Sequence, residues 1–281
     1  MLYSYSRIKR FEKCPLAYRF EYIDKVKIEE FDTIEAFMGS RVHEALDVFY
    51  GEALGGKILS LMEVLDLYDG NWQEKLHPGV VVNSQDRSCE DYHAAGAQCI
   101  RDYYDNYSPF DQTEVLGTEI KVLVDLLGDG RYKFIGYIDR LDRTKQGAYE
   151  IHDYKTGGSV PSKKKTGSDQ QLALYELGIR QKHADVSEVE LVWHYLRHNR
   201  EIRSKKTVSD LEALKTGFVS AISGIEKATV DDFFPANKTR LCKWCAYQGI
   251  CLQEKRIPMR QTSLAKYIDP PQDRYYEFEA P

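Results

Sequence analysis

Hydrophobic and polar residues follow two different periods along this 281-residue chain. Over residues 40–107 the apolar positions recur at helical spacing: within SRVHEALDVFY they fall at 42, 45, 46 and 49, and a second long helix is predicted over about 88–107. The first 25 residues predict a shorter helix that begins at Ser4 or Ser6 and is broken near Pro15. The first part of the chain is therefore predicted to be helical.

Later segments show the short alternating apolar runs of β-strands. TEVLGTEIKVLVDLL and RYKFIGYIDRLDR surround a Gly-Asp-Gly turn at 128–130, and AYEIHDYKT follows a TKQG turn. A helix over SDQQLALYELGIRQKH, with Ser168 or Asp169 as its N-cap, precedes a predicted hairpin and a helix over about 208–228.

This order of elements predicts an α/β fold with a mixed central β-sheet flanked by helices. We expect one domain over residues 1–252, which contains a helical insertion at about 50–110, followed by a C-terminal tail at 253–281.

The apolar runs, the N-terminal residues and the net charge indicate where the protein acts and which partners it has. No apolar run approaches the ~18 residues of a membrane span, and the polar, aromatic N-terminus is unlike a signal peptide. We therefore expect a cytoplasmic protein without a membrane partner. The net charge of −5 argues against general coating of nucleic acid. It is compatible with a local basic groove, for which RIKR at 7–10 and SKKK at 162–165 are candidates.

Two carboxylates and a lysine are predicted to meet on the third strand and its neighbour. Asp153 and Lys155 are two positions apart, so they share one face of the strand, whereas His152 points to the other face and is expected to be a packed or surface histidine. Asp139 lies on the preceding strand, where antiparallel pairing brings opposed side chains within about 5 Å. Such a pair of carboxylates needs a cation between them, and Mg²⁺ or Mn²⁺ accepts these ligands. Lys155 can then orient an attacking water or stabilise charge on a phosphate.

Three further residues fit this arrangement. His43 lies on a helix beside apolar residues and can face inward as a third metal ligand or a phosphate contact. Gln171 and Tyr175 share one face of the helix after the lysine strand. A competing triplet, Glu119-Ile120-Lys121, has neither a carboxylate on an earlier hairpin partner nor such a helix behind it. We interpret it as an ion pair at a strand edge.

Four of the six cysteines are predicted to hold a metal centre. Cys242, Cys245 and Cys251 lie close together in the sequence, and Cys14 is more than two hundred residues upstream. A shell of four thiolates suits Zn²⁺ or a 4Fe–4S cluster, and the spacing alone does not choose between them. The other two cysteines, at positions 89 and 99, are expected to be ordinary buried thiols.

Six motifs of the chain resemble those of a known family. They are SYSRIKRFEKCPLAYRFEYI, GSRVHEAL, GYIDRLD, IHDYKTG, QLALYELG and CKWCAYQGIC. In this order they resemble the PD-(D/E)xK nuclease superfamily, and within it the RecB-like exonuclease branch, which includes the AddB nuclease domain and the CRISPR-associated adaptation exonuclease. The resemblance implies a restriction-endonuclease-like core and an iron–sulfur module that joins the N- and C-terminal segments.

The resemblance also assigns roles to individual residues. His43, Asp139 and Asp153 match the metal ligands, and Lys155 matches the catalytic lysine. Gln171 and Tyr175 match the motif that flanks the site. For the four cysteines the resemblance favours a 4Fe–4S cluster over a structural zinc.

The expected function is hydrolysis of DNA by a Mg²⁺- or Mn²⁺-dependent exonuclease, mainly from single-stranded ends, in repair, recombination or CRISPR adaptation. A helicase or CRISPR adaptation proteins would be separate chains. One alternative is a catalytically silent iron–sulfur subunit that binds DNA, although such a subunit would be expected to lose Asp139, Asp153 or Lys155. A zinc-containing regulatory module is a second alternative.

Overall fold

The computed structural model describes residues 2–28, 32–183 and 186–251, and the predicted tail at 253–281 lies outside them. The chain forms two compact units. Of the described residues, the first contains 2–5, 32–183 and 186–220, and the second contains 6–28 and 221–251. None of the helices in the described part of the chain combines the length and the apolar character that crossing a membrane requires.

The first unit is built on a six-stranded sheet. Its strands are β1 (Leu2–Tyr3), β4 (Thr113–Asp125), β5 (Lys133–Thr144), β6 (Tyr149–Lys155), β7 (Val189–Tyr195) and β8 (Arg200–Ser204). Strand β5 pairs with β4 and β6 in antiparallel orientation and with β1 in parallel, β6 pairs with β7 in parallel, and β7 pairs with β8 in antiparallel. A parallel two-stranded ladder joins β2 (Asp32–Thr33) to β3 (Val80–Val81). The prediction of a mixed sheet flanked by helices is confirmed.

Helices supply the remaining elements of the first unit. They are α3 (Ile34–Leu54), α4 (Leu61–Lys75), α5 (Cys89–Tyr107), α6 (Lys163–Gly167), α7 (Gln171–Lys182) and the first part of α8 (Val208–Val230). The hydrophobic cluster formed by α3, α4 and α5 includes Phe37, Met38, Tyr68, Trp72 and Ile100. Helices α4 and α5, which lie in the predicted insertion, thus pack against α3, and the same cluster includes Tyr154 of β6.

Capping residues explain where these helices begin. Ser60 and Glu63 form a reciprocal capping box at α4, and Ser88 and Asp91 form another at α5. The predicted N-cap of α7 was wrong, because Gln170 occupies that position. Asp169 still contributes to the start of α7, since its Oδ1 accepts a hydrogen bond of 2.8 Å from the backbone N–H of Gln171.

The second unit contains segments from both parts of the chain that carry the four cysteines. Its elements are α1 (Tyr5–Lys13), α2 (Pro15–Tyr18), a π-helical turn (Arg19–Ile23), the end of α8 and a 3₁₀ turn (Arg240–Trp244). Cys14 has an extended backbone and separates α1 from α2, which confirms the predicted break at Pro15. Ala17, Phe20, Val26 and Tyr247 form a small apolar cluster.

A buried network of charges lies on β5 and β6 beside the layer of α3 and α5. Arg140 Nε lies 3.0 Å from Asp142 Oδ1, and His152 Nε2 lies 3.3 Å from Asp142 Oδ2. Thr113 donates a hydrogen bond of 2.6 Å to the same Asp142 oxygen. Burial raises the pKa of Asp142, but Arg140 and His152 outweigh burial and lower this pKa to about 2. The prediction that His152 is a packed histidine is confirmed.

Replacing Asp142 by asparagine is therefore expected to destabilise the fold in a pH-dependent way. The lowered pKa contributes stability above the ordinary carboxyl pKa, and this contribution is lost as the pH falls toward about 2. At pH 7 we expect a loss of roughly 3–5 kcal/mol, because the buried Arg140 loses its anionic partner. Urea unfolding at pH 7 and at about pH 3 measures the difference, which should shrink at the lower pH. Asp105→Asn, at an exposed position of α5, is the control, and an equal loss at both pH values would contradict the ionic explanation.

Candidate active site

The hairpin of β5 and β6 places two carboxylates opposite each other. Arg140 pairs with His152, so the preceding Asp139 and the following Asp153 face each other across the two strands. Asp153 is buried, with 4% of its surface exposed, whereas Asp139 is half-buried. Lys155 follows on β6, and its Nζ lies 2.6 Å from Asp153 Oδ2 and 2.8 Å from Asp153 Oδ1. The structure therefore brings these three predicted residues together.

The charges in this hairpin shift one another's pKa values. Burial raises the pKa of Asp153 to about 6, with Lys155 opposing the shift and Asp139 adding to it. For Lys155, burial lowers the pKa, but the Asp153 carboxylate outweighs burial and the net shift is upward. The lysine therefore remains an ammonium at neutral pH, beside a carboxylate that a further cation would hold in its ionised form.

Helix α3 places the His43 ring beside Asp139 and the main chain of Tyr154. Its Nε2 donates a hydrogen bond of 2.7 Å to the backbone carbonyl of Tyr154, so the proton of a neutral ring is on Nε2. The Nδ1 atom then faces Asp139 Oδ2 at 3.4 Å. The same Asp139 oxygen accepts a hydrogen bond of 2.8 Å from the Tyr154 backbone N–H. An imidazole lone pair directed at a carboxylate fits a metal ion between them, because both groups are metal ligands.

Glu119 joins this group, contrary to our interpretation of it as a strand-edge ion pair. Ligand atoms of His43, Glu119 and Asp139 lie within 4.8 Å of one another. The interpretation looked for a carboxylate on an earlier strand, whereas the partner strand β5 follows β4 and places Asp139 opposite Glu119. Glu119 also has a left-handed φ of 46°. Partial burial, together with the carboxylates of Asp139 and Asp47, raises the pKa of Glu119 to about 7. Sequence periodicity carried no signal for this residue.

Gln171 and Tyr175 form a pair at the start of α7. Gln171 Nε2 donates a hydrogen bond of 3.1 Å to the Tyr175 hydroxyl. Burial raises the pKa of Tyr175, and Asp153 and Asp139 raise it further, so the hydroxyl lies within electrostatic range of both carboxylates. The ring packs directly over Gly136 of β5, where any side chain would overlap it.

Adding one methyl group at position 136 is therefore expected to displace Tyr175. A Cβ built on Gly136 would overlap Cε1 of this ring, which cannot move without disturbing the buried packing around it. We expect Gly136→Ala to cost about 1–3 kcal/mol in the free energy of unfolding, measured by urea denaturation. Gly70→Ala is the matched control, because nothing lies within 4 Å of its Cβ position inside α4. It should stabilise the protein by about 0.5–1 kcal/mol. A neutral Gly136→Ala would show that the Tyr175 ring is not held against β5.

The four predicted metal-binding cysteines surround one cavity in the second unit. Cys14, Cys242, Cys245 and Cys251 all line a cavity of about 310 Å³. Backbone N–H groups donate hydrogen bonds to two of the sulfurs, from Asn237 to Cys14 at 3.5 Å and from Thr239 to Cys242 at 3.3 Å. All four thiols are free. Hydrogen bonds from backbone N–H groups to sulfur stabilise thiolates, so this donor set fits a metal centre.

The remaining two cysteines are on α5 and do not line this cavity. Cys99 is buried, and burial raises the pKa of its thiol to about 11. Cys89 is half-buried, and burial also raises its thiol pKa. Both thiols are therefore protonated at neutral pH, as expected of packed cysteines.

The mixed sheet and the side chains on its hairpin are those of a nuclease domain. The family model of the PD-(D/E)XK nuclease superfamily matches residues 3–252, and the chain belongs to this superfamily. Its nucleases use divalent metals, which agrees with the cluster of His43, Glu119 and Asp139, and their substrate is DNA.

Comparison with individual proteins adds little detail. A solved structure described as "Crystal structure of SSO0001" is similar over 89% of this chain and 95% of its own, with 16% sequence identity and a TM-score of 0.33. No curated protein sequence matches the chain.

Proposed function

We propose that this chain is a Mg²⁺- or Mn²⁺-dependent DNA exonuclease of the RecB-like branch that hydrolyses phosphodiester bonds mainly from single-stranded ends. The observation that carries the proposal is the hairpin of β5 and β6. In this hairpin Asp139 lies opposite Asp153, and Lys155 forms an ion pair with Asp153. His43 of α3 contacts Asp139. Packing alone does not require two carboxylates, an ammonium and an imidazole to meet at one point.

Each side chain has a defined task in this proposal. His43, Asp139 and Asp153 would hold the divalent metal, which supplies Lewis-acid activation of the water and of the phosphate oxygens. The Lys155 ammonium, held by Asp153, orients the attacking water and stabilises negative charge on the phosphate. Gln171 and Tyr175 border the carboxylates, where the amide and hydroxyl can donate to a phosphate or position the water.

Exposed lysines that follow β6 in the sequence support DNA as the substrate. Helix α6 begins eight residues after Lys155, and Lys163, Lys164 and Lys165 on it are exposed. Contacts from such ammonium groups to backbone phosphates are independent of sequence, as expected for an enzyme that degrades DNA from an end. The preference for single strands rests on the resemblance to the RecB-like exonucleases.

The cysteine cavity supports a 4Fe–4S cluster as the second cofactor. A tetrahedral Zn²⁺ with Zn–S bonds of about 2.3 Å needs sulfurs about 3.8 Å apart. Within the described residues, no three of the four sulfurs come within 4.8 Å of one another, although all four line one cavity. Four thiolates suit either group, and the preference for the cluster rests on the resemblance of the motifs to the RecB-like branch. Iron and zinc analysis of the purified protein, together with its visible absorption, distinguishes the two.

The biological setting that we propose is DNA repair, recombination or CRISPR adaptation in the cytoplasm. The proposed partners are a helicase or CRISPR adaptation proteins as separate chains.

The proposal is tested by incubating the full chain with DNA labelled at its 5′ or 3′ end. Linear single-stranded, linear double-stranded and circular single-stranded DNA are compared with Mn²⁺, Mg²⁺ or EDTA. We expect degradation of linear single strands with either metal, none with EDTA, and survival of the circle. Cleavage of the circle would indicate an endonuclease. Binding of DNA without cleavage under any metal condition would favour the catalytically silent subunit.

A further inference from the structure

Glu119 lies directly across from a predicted metal ligand. Thr118 pairs with Arg140 and Ile120 pairs with Ile138, so Glu119 of β4 is opposite Asp139 of β5. Asp139 on β5 therefore has a carboxylate opposite it on each neighbouring strand. These are Glu119 on β4 and Asp153 on β6. His43 approaches from α3, and its ring nitrogen completes a group whose ligand atoms lie within 4.8 Å of one another.

The local backbone of β4 is unusual at this residue. Glu119 has a φ of 46°, in the left-handed region that side chains other than glycine rarely occupy. Such a conformation has an energetic cost of about 1–3 kcal/mol and is found where a side chain must be directed at a functional point. Here the side chain is directed into a cavity of about 490 Å³ that His43, Asp47 and Thr156 also line.

The charge around Glu119 is not compensated by the protein. Its carboxylate lies close to that of Asp139 and to the His43 ring, and it lines one cavity with Asp47. Within residues 2–28, 32–183 and 186–251, no lysine or arginine forms an ion pair with it. Carboxylates this close together repel each other unless a cation lies between them.

We propose that Glu119 is a direct ligand of the divalent metal that His43 and Asp139 hold. The inference rests on the proposed nuclease function, since it concerns the same metal. Glu119 adds a hard oxygen from a third strand to the ligands of α3, β5 and β6, and such oxygens suit Mg²⁺ and Mn²⁺. It also gives a role to a residue outside the Asp-x-Lys motif.

The test measures binding of Mn²⁺ alone to the full-length protein, by electron paramagnetic resonance of the free ion and by calorimetry. The variants are Glu119→Gln, Asp139→Asn and Glu114→Gln, the last being an exposed glutamate on the same strand. We expect one Mn²⁺ per chain, unchanged affinity for Glu114→Gln, and affinity at least about tenfold weaker for both Glu119→Gln and Asp139→Asn. Thermal unfolding of the metal-free variants confirms that each is folded. Cleavage by Glu119→Gln should recover when Mn²⁺ is raised.

The outcomes separate this inference from the function on which it rests. If Asp139→Asn loses Mn²⁺ but Glu119→Gln binds it normally, Glu119 is not a ligand and the nuclease proposal stands. If neither variant changes Mn²⁺ binding, the ion does not bind at His43, Asp139 and Glu119, and the metal site of the nuclease proposal is wrong as well. Two ions on the unmodified protein and one on Glu119→Gln would overturn the shared site and assign Glu119 to a separate ion.

Discussion

Replacing Asp153 by asparagine is expected to abolish DNA cleavage, with a loss of at least about a thousandfold in kcat, or ~4 kcal/mol of transition-state stabilisation. The substitution keeps the shape of the side chain but removes the charge that both a metal and the Lys155 ammonium require. Release of labelled nucleotides under saturating Mn²⁺ provides the measurement. Asp111→Asn, at an exposed position before β4, should cleave normally.

Two comparisons show whether this loss has the proposed origin. Lys155→Ala should also be inactive, yet it should retain Mn²⁺, because the ammonium is not a metal ligand. Asp153→Asn should melt at a temperature close to that of the unmodified protein, because the raised pKa of Asp153 means that the fold disfavours its charge, whereas the lowered pKa of Asp142 means that the fold favours that charge. Robust cleavage by Asp153→Asn would show that the catalytic triplet lies elsewhere.

Replacing Cys14 by serine is expected to remove the metal centre that we propose for the second unit. Cys14 comes from the start of the chain and its three partners from beyond residue 240, so the unfolded chain does not hold the ligands together. Binding free energy then contributes directly to folding, and we expect the unfolding midpoint to fall by about 10 °C or more. Iron content, visible absorption and thermal unfolding are the measurements.

The two cysteines of α5 provide the controls for that result. Cys89→Ser should keep both the colour and the unfolding midpoint, because Cys89 lies outside the cavity that the four ligands line. Cys99→Ser should keep the colour. If Cys14→Ser retains its full iron content, or if Cys89→Ser loses it, the proposed ligand set is wrong. If the purified protein contains zinc instead of iron, the four proposed ligands stand and the cofactor is Zn²⁺.

The sequence was informative where strands alternate regularly. The i, i+2 spacing of Asp153 and Lys155, and the short turn between β5 and β6, were enough to predict that Asp139 and Asp153 face each other. His43 could be predicted to point inward because its helix neighbours are apolar. The chemistry of the thiolates suggested that Cys14 joins its distant partners, a grouping that no local pattern encodes.

Local irregularities account for what the sequence did not reveal. β4 has a bulge between Val115 and Gly117 and a left-handed backbone at Glu119, and neither feature has a signal in the sequence. The N-cap of α7 is a glutamine without a side-chain cap, which capping preferences disfavour. Both features depend on how separate elements pack.

The main chain of Tyr154 has a consequence for observing this site in solution. Its N–H donates to Asp139 and its carbonyl accepts from His43, while its side chain is buried beside Arg140. The amide proton of Tyr154 is therefore hydrogen-bonded to a predicted metal ligand and not to the backbone of a neighbouring strand. Its hydrogen-exchange rate and its nitrogen-15 chemical shift would therefore report directly on the Asp139 carboxylate. A spectroscopist could follow events at the centre of the site from a residue that takes no part in the chemistry through its side chain.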